Sequence, residues 1–110
     1  MENPKFSMSK SGSSYYWNLK AGNGEKILHS EAYTSKQSCQ SGIASVKANA
    51  SYESRYERKP STNNQFYFVL KAANYEIIGV GETYTTTYAR DKGIEAVKHY
   101  APTAPTEDLT

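Results

Sequence analysis

The stretch at residues 15–50 reads YYWNLKAGNGEKILHSEAYTSKQSCQSGIASVKANA, and residues 66–101 read FYFVLKAANYEIIGVGETYTTTYARDKGIEAVKHYA. The two align at a constant offset of 51 without a gap, and 15 of the 36 positions are identical. So many identities in one register indicate an internal duplication with a period of about 50 residues. We therefore expect a tandem repeat, with copy one at about 4–51 and copy two at about 54–101.

Each copy is predicted to form three strands followed by a helix. Residues 15–21 alternate aromatic or apolar side chains with polar ones, which is typical of a strand with one buried face. This alternation places Trp17 and Leu19 in the core, and Tyr16 and Lys20 on the opposite face. Copy two repeats the alternation, and short runs at 5–9 and 52–59 provide a first strand for each copy.

A hairpin is predicted after this strand, because Asn and Gly in Gly22-Asn23-Gly24 tolerate positive φ. A three-residue loop would place Ile27 on the same face as Leu19, whereas a two-residue loop would place Leu28 there. We favour the longer loop because isoleucine recurs at the equivalent position of copy two, whereas Leu28 becomes a glycine. The geometry of the second hairpin, at Asn74-Tyr75, is left open because tyrosine disfavours positive φ.

A helix is predicted directly after the return strand of each copy. Thr34 is a candidate N-cap, with Gln37 three residues on completing a capping box. Glycine inside a helix costs about 1 kcal/mol relative to alanine, so Gly42 and Gly93 predict a close approach of the helix to the sheet. One apolar helix face is expected in each copy, formed by Cys39, Ile43, Val46 and Ala50, and by Ile94, Val97 and Ala101 with Arg90 in place of the cysteine.

These elements predict an α+β fold: two tandem βββα repeats related by a pseudo-two-fold, with an antiparallel sheet and two helices packed on one side of it. A lone copy of about 50 residues has a marginal core, so both copies are expected to form one domain over 1–101. Residues 102–110 have the composition of a flexible C-terminal tail. The predicted core is Trp17, Leu19, Ile27, Ile43 and Val46 with Phe68, Leu70, Ile78, Ile94 and Val97.

The repeated motifs Leu-Lys-Ala-x-Asn-x-Glu-x-Ile, Glu-x-Tyr and Gly-Ile-x-x-Val resemble those of the YegP-like family of small bacterial and archaeal proteins. The resemblance covers about the first 100 residues. It implies a βββα repeat fold and a domain of unknown function, with no catalytic residues to transfer. Single-copy members of the family are thought to pair as dimers. The resemblance therefore implies that this chain is a covalently fused pseudo-dimer, which we expect to be a monomer in solution.

Composition narrows the possible functions only broadly. The formal net charge is +2, and the chain has one cysteine, so an internal disulfide is excluded. Residues 1–51 hold six Lys/Arg and three Glu, whereas residues 52–110 hold seven Lys/Arg and eight Asp/Glu. A general nucleic-acid binder normally carries a clearer basic face. No apolar run approaches the roughly 18 residues of a membrane span, and no secretory signal is apparent, so we expect a cytoplasmic protein.

Two glutamates are the best candidates for a polar functional site. Glu31 and Glu82, each two residues before a tyrosine (Tyr33 and Tyr84), recur in both copies. They are predicted to form a structural corner that accepts the free N–H groups of the following helix, with a ligand site as the alternative.

The cysteine, the histidines and a glycine pair are predicted to have no catalytic or ligand-binding role. Cys39 is expected to be a buried apolar residue. His29 and His99 have no partner at ligand spacing, so no metal is predicted. The glycines of Gly79-Val80-Gly81 are expected to make room for Phe66 and Phe68 rather than to bind phosphate.

The remaining candidate is a mixture of aromatic and basic side chains on the face opposite Trp17. Tyr16, Lys20, Tyr67 and Lys71 recur in both copies. Tyrosines with lysines along a strand are one way in which proteins hold single-stranded RNA or DNA. The leading prediction is nevertheless a non-catalytic binding module that uses no cofactor and whose partner is unknown. Binding of single-stranded nucleic acid through Tyr16, Lys20, Tyr67 and Lys71 is the alternative.

Overall fold

The computed structural model describes residues 3–110. Within that range the chain forms one seven-stranded sheet and two helices of 14 residues each. The elements are β1 Lys5–Ser11, β2 Ser14–Lys20, β3 Lys26–His29, α1 Lys36–Asn49, β4 Tyr56–Pro60, β5 Phe66–Lys71, β6 Ile77–Gly81, α2 Thr87–Tyr100 and β7 Thr106–Asp108. None of the helices in residues 3–110 is long and apolar enough to span a membrane.

The strand order in the sheet is β4-β5-β6-β3-β2-β1-β7, and every pairing is antiparallel except the parallel pairing of β1 with β7. β3 joins β6 at the centre, where His29 lies across from Val80. These two residues are equivalent at the offset of 51, so the pseudo-two-fold axis passes between them. The predicted α+β fold with two related repeats is confirmed.

Both hairpins have the three-residue loop. The Ala21 N–H donates to the Glu25 carbonyl at 2.8 Å, and the Gly24 N–H donates to the Ala21 carbonyl at 2.9 Å. The last loop residue is left-handed, with φ of +87° at Gly24 and +70° at Tyr75. The second hairpin therefore keeps the turn of the first, although a tyrosine occupies the position that favours glycine.

The core side of β3 differs from the prediction. The pairing register between β2 and β3 shifts after Leu19, so that both Ile27 and Leu28 are buried in the core. Leu28 was expected to face away, and that prediction is wrong because the bulge turns two successive side chains inward. A Cβ on Gly79, the equivalent of Leu28, would lie 2.8 Å from Leu28 Cδ2. The space beside the pseudo-two-fold axis therefore holds only one leucine side chain, which explains why copy two has glycine at this position.

Gly79 and Gly81 of β6 make room for different side chains. A Cβ on Gly81 would lie 2.7 Å from Phe68 Cζ, as predicted for that ring. The prediction for Phe66 is wrong, because the space above Gly79 is filled by Leu28 and Trp17, which come from the other copy.

Helix α1 begins one residue later than predicted. The N-cap of α1 is Ser35, whose side chain accepts from the Ser38 N–H at 3.1 Å, and not Thr34. Thr86 caps α2 in the same way. Two backbone hydrogen bonds of 2.8 Å join Tyr15 and Tyr33 and keep the chain extended up to that point. The helical turn therefore starts only after it.

Tyrosine side chains explain the glycines inside the helices. A Cβ on Gly42 would lie 2.7 Å from Tyr33 Cζ, and a Cβ on Gly93 would lie 2.8 Å from Tyr84 Cζ. The predicted close approach is confirmed. The group nearest to each helical glycine is a tyrosine side chain and not the backbone of the sheet. Tyr33 and Tyr84 therefore form the corner between sheet and helix.

The core is shared between the copies. Helix α1 packs on β2 of its own copy and on β5 and β6 of the other, and α2 packs on β5 and β3. Of the ten predicted core residues, nine are buried and Ile78 is half-buried. The core also contains Cys39, Ala50 and Ala101 of the predicted apolar helix faces, and five residues that were not predicted to be buried: Phe6, Met8, Leu28, Tyr56 and Ala104.

The end of the chain is not the frayed tail that its composition predicted. β7 pairs with β1, where the Leu109 N–H donates to the Met8 carbonyl at 2.8 Å. The prediction is wrong for these residues because β1 is an edge strand whose backbone groups need partners. Asp108 also pairs with Lys36 of α1 at 2.6 Å.

Candidate functional site

The two helices cover only one face of the sheet. On β2, Trp17 and Leu19 are fully buried beneath the helices, whereas Tyr16, Asn18 and Lys20 are half-buried on the other side. We call that other side the open face. Its side chains, assigned from strand alternation and pairing register, are Lys5, Ser7 and Ser9 of β1, Tyr16, Asn18 and Lys20 of β2, Lys26 and His29 of β3, Glu57 and Lys59 of β4, Tyr67, Val69 and Lys71 of β5, and Ile77, Val80 and the adjoining Glu82 of β6.

All four predicted binding residues lie on the open face, but they do not form one cluster. Tyr16 and Lys20 lie on β2, and Tyr67 and Lys71 lie on β5. Two strands separate β2 from β5, which puts them about 14 Å apart. The strands are antiparallel to each other, so Tyr16 lies at the same end of the sheet as Lys71. The sheet thus presents two related patches.

The two lysines differ in their partners. Lys71 is hydrogen-bonded to the Glu57 carboxylate, which also lies 3.6 Å from Lys59. The hydrogen bond from Lys71 is the main reason that the pKa of Glu57 lies below its usual value. No ion pair or hydrogen bond involves the Lys20 ammonium among residues 3–110. The two lysines occupy equivalent positions in the repeats. Their ion pairing differs because the strand beside Lys71 supplies a carboxylate and the strands beside Lys20 do not.

The centre of the open face contains a histidine–glutamate contact and a buried valine. His29 Nδ1 lies 3.3 Å from Glu82 Oε1. Val69 is only 2% exposed although no helix covers it. The roles of Asn18, His29 and Glu57 were missed by sequence reasoning, because these residues have different counterparts in the other copy.

The predicted role of Glu31 and Glu82 at the helix N-termini is wrong. The free N–H groups at these ends are met by the side chains of Ser35 and Thr86. Glu82 contacts His29 instead, and Glu31 is exposed. A nearby hydroxyl reaches the N–H groups of the first turn better than a carboxylate that strand alternation directs to the open face.

The reactive residues of the chain are kept apart. Cys39 is fully buried among core side chains on the helix side of the sheet, and burial raises the pKa of its thiol. His29 lies on the opposite side of the sheet, so the two side chains cannot act together. In the part of the chain that the structure describes, no group of three His, Cys, Asp or Glu side chains could hold a metal ion.

A second charged cluster joins β4 to α2. Arg58 pairs with Glu53 at 2.8 Å and with Asp91 at 3.0 Å, and Lys98 also bonds Glu53. The hydrogen bonds from Arg58 and Lys98 lower the pKa of Glu53 to about 2. Every charge in this cluster has an opposite partner, so its role is structural.

Comparisons with known proteins agree with the repeat. A family model described as "Domain of unknown function (DUF1508)" matches residues 10–57 and again 61–108. UPF0339 protein YegP from Escherichia coli O157:H7 is 50% identical over 106 residues, which cover 96% of each chain. A UPF0339 protein from Bordetella pertussis is 52% identical over 105 residues, covering 96% of this chain and 95% of its own.

Two solution NMR structures share the fold. The Escherichia coli yegP structure, described as that of a protein of unknown function, has a TM-score of 0.91 at 47% identity and covers 100% of this chain and 96% of its own. A UPF0339 protein from Shewanella oneidensis has a TM-score of 0.92 at 44% identity, with 98% and 92% covered. The resemblance noted from the repeated motifs is confirmed.

Proposed function

The chain belongs to the DUF1508 family, whose function is unknown, and from this premise we propose that it is a non-catalytic binding module that acts through the open face. We place it in the cytoplasm. We expect it to be a monomer, because its two fused copies already form the pair that single-copy relatives would form as a dimer.

The observation that carries this proposal is the one-sided cover of the sheet. Antiparallel sheets commonly expose one face to water, but such a face is then mainly polar. Here the open face also carries two half-buried tyrosines, Tyr16 and Tyr67, and the half-buried Val80, next to lysine, asparagine and histidine side chains. Aromatic residues next to hydrogen-bonding groups are enriched where proteins meet partners.

The non-catalytic part of the proposal rests on the separation of reactive groups. A nucleophile needs a base within hydrogen-bond reach, and the sheet lies between Cys39 and His29. The carboxylate that contacts the histidine is Glu82, and the single cysteine lies on the other side of the sheet from both. This arrangement suits recognition better than proton transfer.

The proposal is tested by purifying the tagged protein from its native cells and identifying both protein and nucleic-acid co-purifiers. The test variant is Tyr16→Ala with Tyr67→Ala, which alters the open face of both copies. The matched control is Gln37→Ala with Gln40→Ala, which alters exposed positions of α1 on the far side of the molecule. The proposal is supported by a co-purifier that the control retains and the test variant loses. Adding that co-purifier should change the NMR chemical shifts of residues on the open face.

Two outcomes would overturn it. The first is a co-purifier that survives the open-face variant and maps to the helices instead. The second is reproducible turnover of a small molecule that one point substitution abolishes, which would make the protein an enzyme. A tight dimer in sedimentation analysis would contradict the monomeric state alone.

The alternative function, binding of single-stranded nucleic acid, is favoured by one specific observation. Lys20 has no acidic partner, whereas its counterpart Lys71 does. An unneutralised lysine on an aromatic sheet face is a feature of proteins that track a phosphate backbone.

A further inference from the structure

The two halves of the open face are neutralised to different degrees. In copy two, β4 supplies Glu57 to Lys71. In copy one, β1 occupies the place of β4, and the residue in register with Glu57 is Ser7. A serine cannot form an ion pair with an ammonium group, so Lys20 lacks the carboxylate partner that its counterpart Lys71 has.

A second lysine increases the charge at the same point. Lys26 lies directly across from Lys20, where copy two has Ile77. Lys5 lies across from Lys20 on the other side and pairs with Glu107 at 3.0 Å. Three lysines thus stand side by side on strands about 4.8 Å apart. Like charges directly opposite one another destabilise a sheet. Glu107 pairs with Lys5, whereas no salt bridge in the described part of the chain involves Lys20 or Lys26, so these two lysines are the ones that an external anion would contact.

The middle of the same half is polar where the other half is apolar. Asn18 and His29 stand where copy two has Val69 and Val80. The Asn18 amide and the Tyr16 hydroxyl have no hydrogen-bond partner in the described part of the chain. This half therefore offers free donors, free acceptors and an aromatic ring within one patch.

Resting on the binding function above, we propose that the copy-one half of the open face, formed by β1, β2 and β3, binds single-stranded nucleic acid. Lys20 and Lys26 contact its phosphates, and Tyr16 stacks on a base. Glu31 follows β3 at the Tyr16 end and repels phosphate there, so the backbone lies toward the lysines. An acidic peptide without aromatic residues, such as polyglutamate, would use the lysines but would have no planar ring for the tyrosine.

The test is a fluorescence anisotropy titration with a labelled oligothymidylate of about ten nucleotides, and with its RNA counterpart, at low and at moderate salt. The test variant is Lys20→Ala with Lys26→Ala. The matched control is Lys59→Ala with Lys71→Ala, which removes the same charge from the other half. We expect the test variant to bind at least tenfold more weakly and to lose about two units of the salt slope. The control should change affinity less than threefold.

A second pair of variants tests the aromatic contact. Tyr16→Ala should weaken binding about tenfold, and Tyr67→Ala should change it less than threefold. Circular dichroism and thermal melting establish that all variants are folded.

Three results would overturn the inference: no binding at low salt, equal losses in both double-lysine variants, or equal competition by polyglutamate of matched charge. The proposed binding function survives these results if a protein co-purifier still depends on the open face. It fails separately if no co-purifier does so.

Discussion

Tyr75 shows how one residue can keep a fold while straining it. It is 82% exposed at the tip of the second hairpin and has φ of +70°, where copy one has Gly24. The Asn74 side chain accepts from the Glu76 N–H at 3.1 Å, as Asn23 does for Glu25 at 3.0 Å. The turn is therefore imposed by the asparagine and the strand register, and the tyrosine is held in it at a cost.

We expect Tyr75→Gly to raise the free energy of unfolding by about 0.5–1 kcal/mol. Relief of the left-handed conformation gains about 1–2 kcal/mol, and the added chain entropy of glycine offsets about 0.5–1 kcal/mol. Gly24→Ala is the matched control with the opposite sign, because nothing lies near its Cβ and only backbone strain is added. Urea denaturation measures both, and a less stable Tyr75→Gly would show that the side chain makes a stabilising contact.

The second single-residue prediction concerns Gly42. Gly42→Ala should lower stability by about 1–3 kcal/mol, because the new methyl group overlaps the Tyr33 ring. In a Tyr33→Ala background the same change should be neutral or stabilising, since alanine favours helix by about 1 kcal/mol. A double-mutant cycle by thermal denaturation checks this. Equal losses in the two backgrounds would place the overlap elsewhere.

Among the secondary-structure elements, the two edge strands are protected in different ways. At one edge, β7 covers β1. At the other, β4 ends in Pro60 and carries Arg58 and Lys59, which are features that discourage pairing with another chain. At the offset of 51, β7 is also the chain equivalent of the first residues of β4. The segment that follows the helix therefore has two uses. After α2 it forms β7 and covers the edge strand β1, and after α1 it begins β4, the first strand of copy two.

Acid should loosen β7 before the rest of the sheet. The hydrogen bond from Lys36 lowers the pKa of Asp108 to about 2. A carboxyl group whose pKa is lowered by folding stabilises the folded state fully at pH values above its ordinary pKa near 3.8. This stabilisation decreases below that pH and is lost as the pH falls through about 2. We therefore expect hydrogen exchange at the Leu109 amide to accelerate relative to the core as the protein is acidified through this window.

Substitution of Lys36 tests the same contact at neutral pH. Lys36→Ala should accelerate exchange at the Leu109 amide, which donates to Met8. Lys92→Ala, on the exposed surface of α2, is the control and should leave that exchange unchanged. Equal protection in the two variants would mean that backbone pairing alone holds β7.

Considered as a whole, the molecule is one sheet with one core rather than two linked lobes. Each helix contacts strands of the other copy, and Leu28 and Trp17 of copy one fill the space left by Gly79 of copy two. Disrupting either copy therefore removes contacts from both. This geometry predicts a single cooperative transition.

We expect Val97→Ala, in copy two, to lower the free energy of unfolding by about 2–3 kcal/mol. Trp17, the single tryptophan, reports on copy one. Its fluorescence transition should shift to the same midpoint as the far-ultraviolet circular dichroism. Val46→Ala in copy one is the matched variant. A fluorescence midpoint left in place while the circular dichroism shifts would show that the copies unfold separately.

Most of the fold could be predicted because its signals are local. Alternation in residues 15–21 identified the buried side of β2, the spacing of Ile43 and Val46 identified the helix face, and the offset of 51 transferred both to copy two. Side-chain direction follows from the periods of strand and helix, which a chain displays without reference to distant residues. The open face and its four predicted residues followed from the same rule.

The remaining features depend on which distant segments become neighbours. The burial of Leu28, the glycine at position 79, the strand β7 and the pairing of Lys71 but not Lys20 each arise from contacts across the sheet. Strand order and register decide those contacts, and a one-residue shift such as that after Leu19 changes them. Local periodicity does not reveal such a shift, so only the tertiary structure could show how two repeats with the same element order present different surfaces.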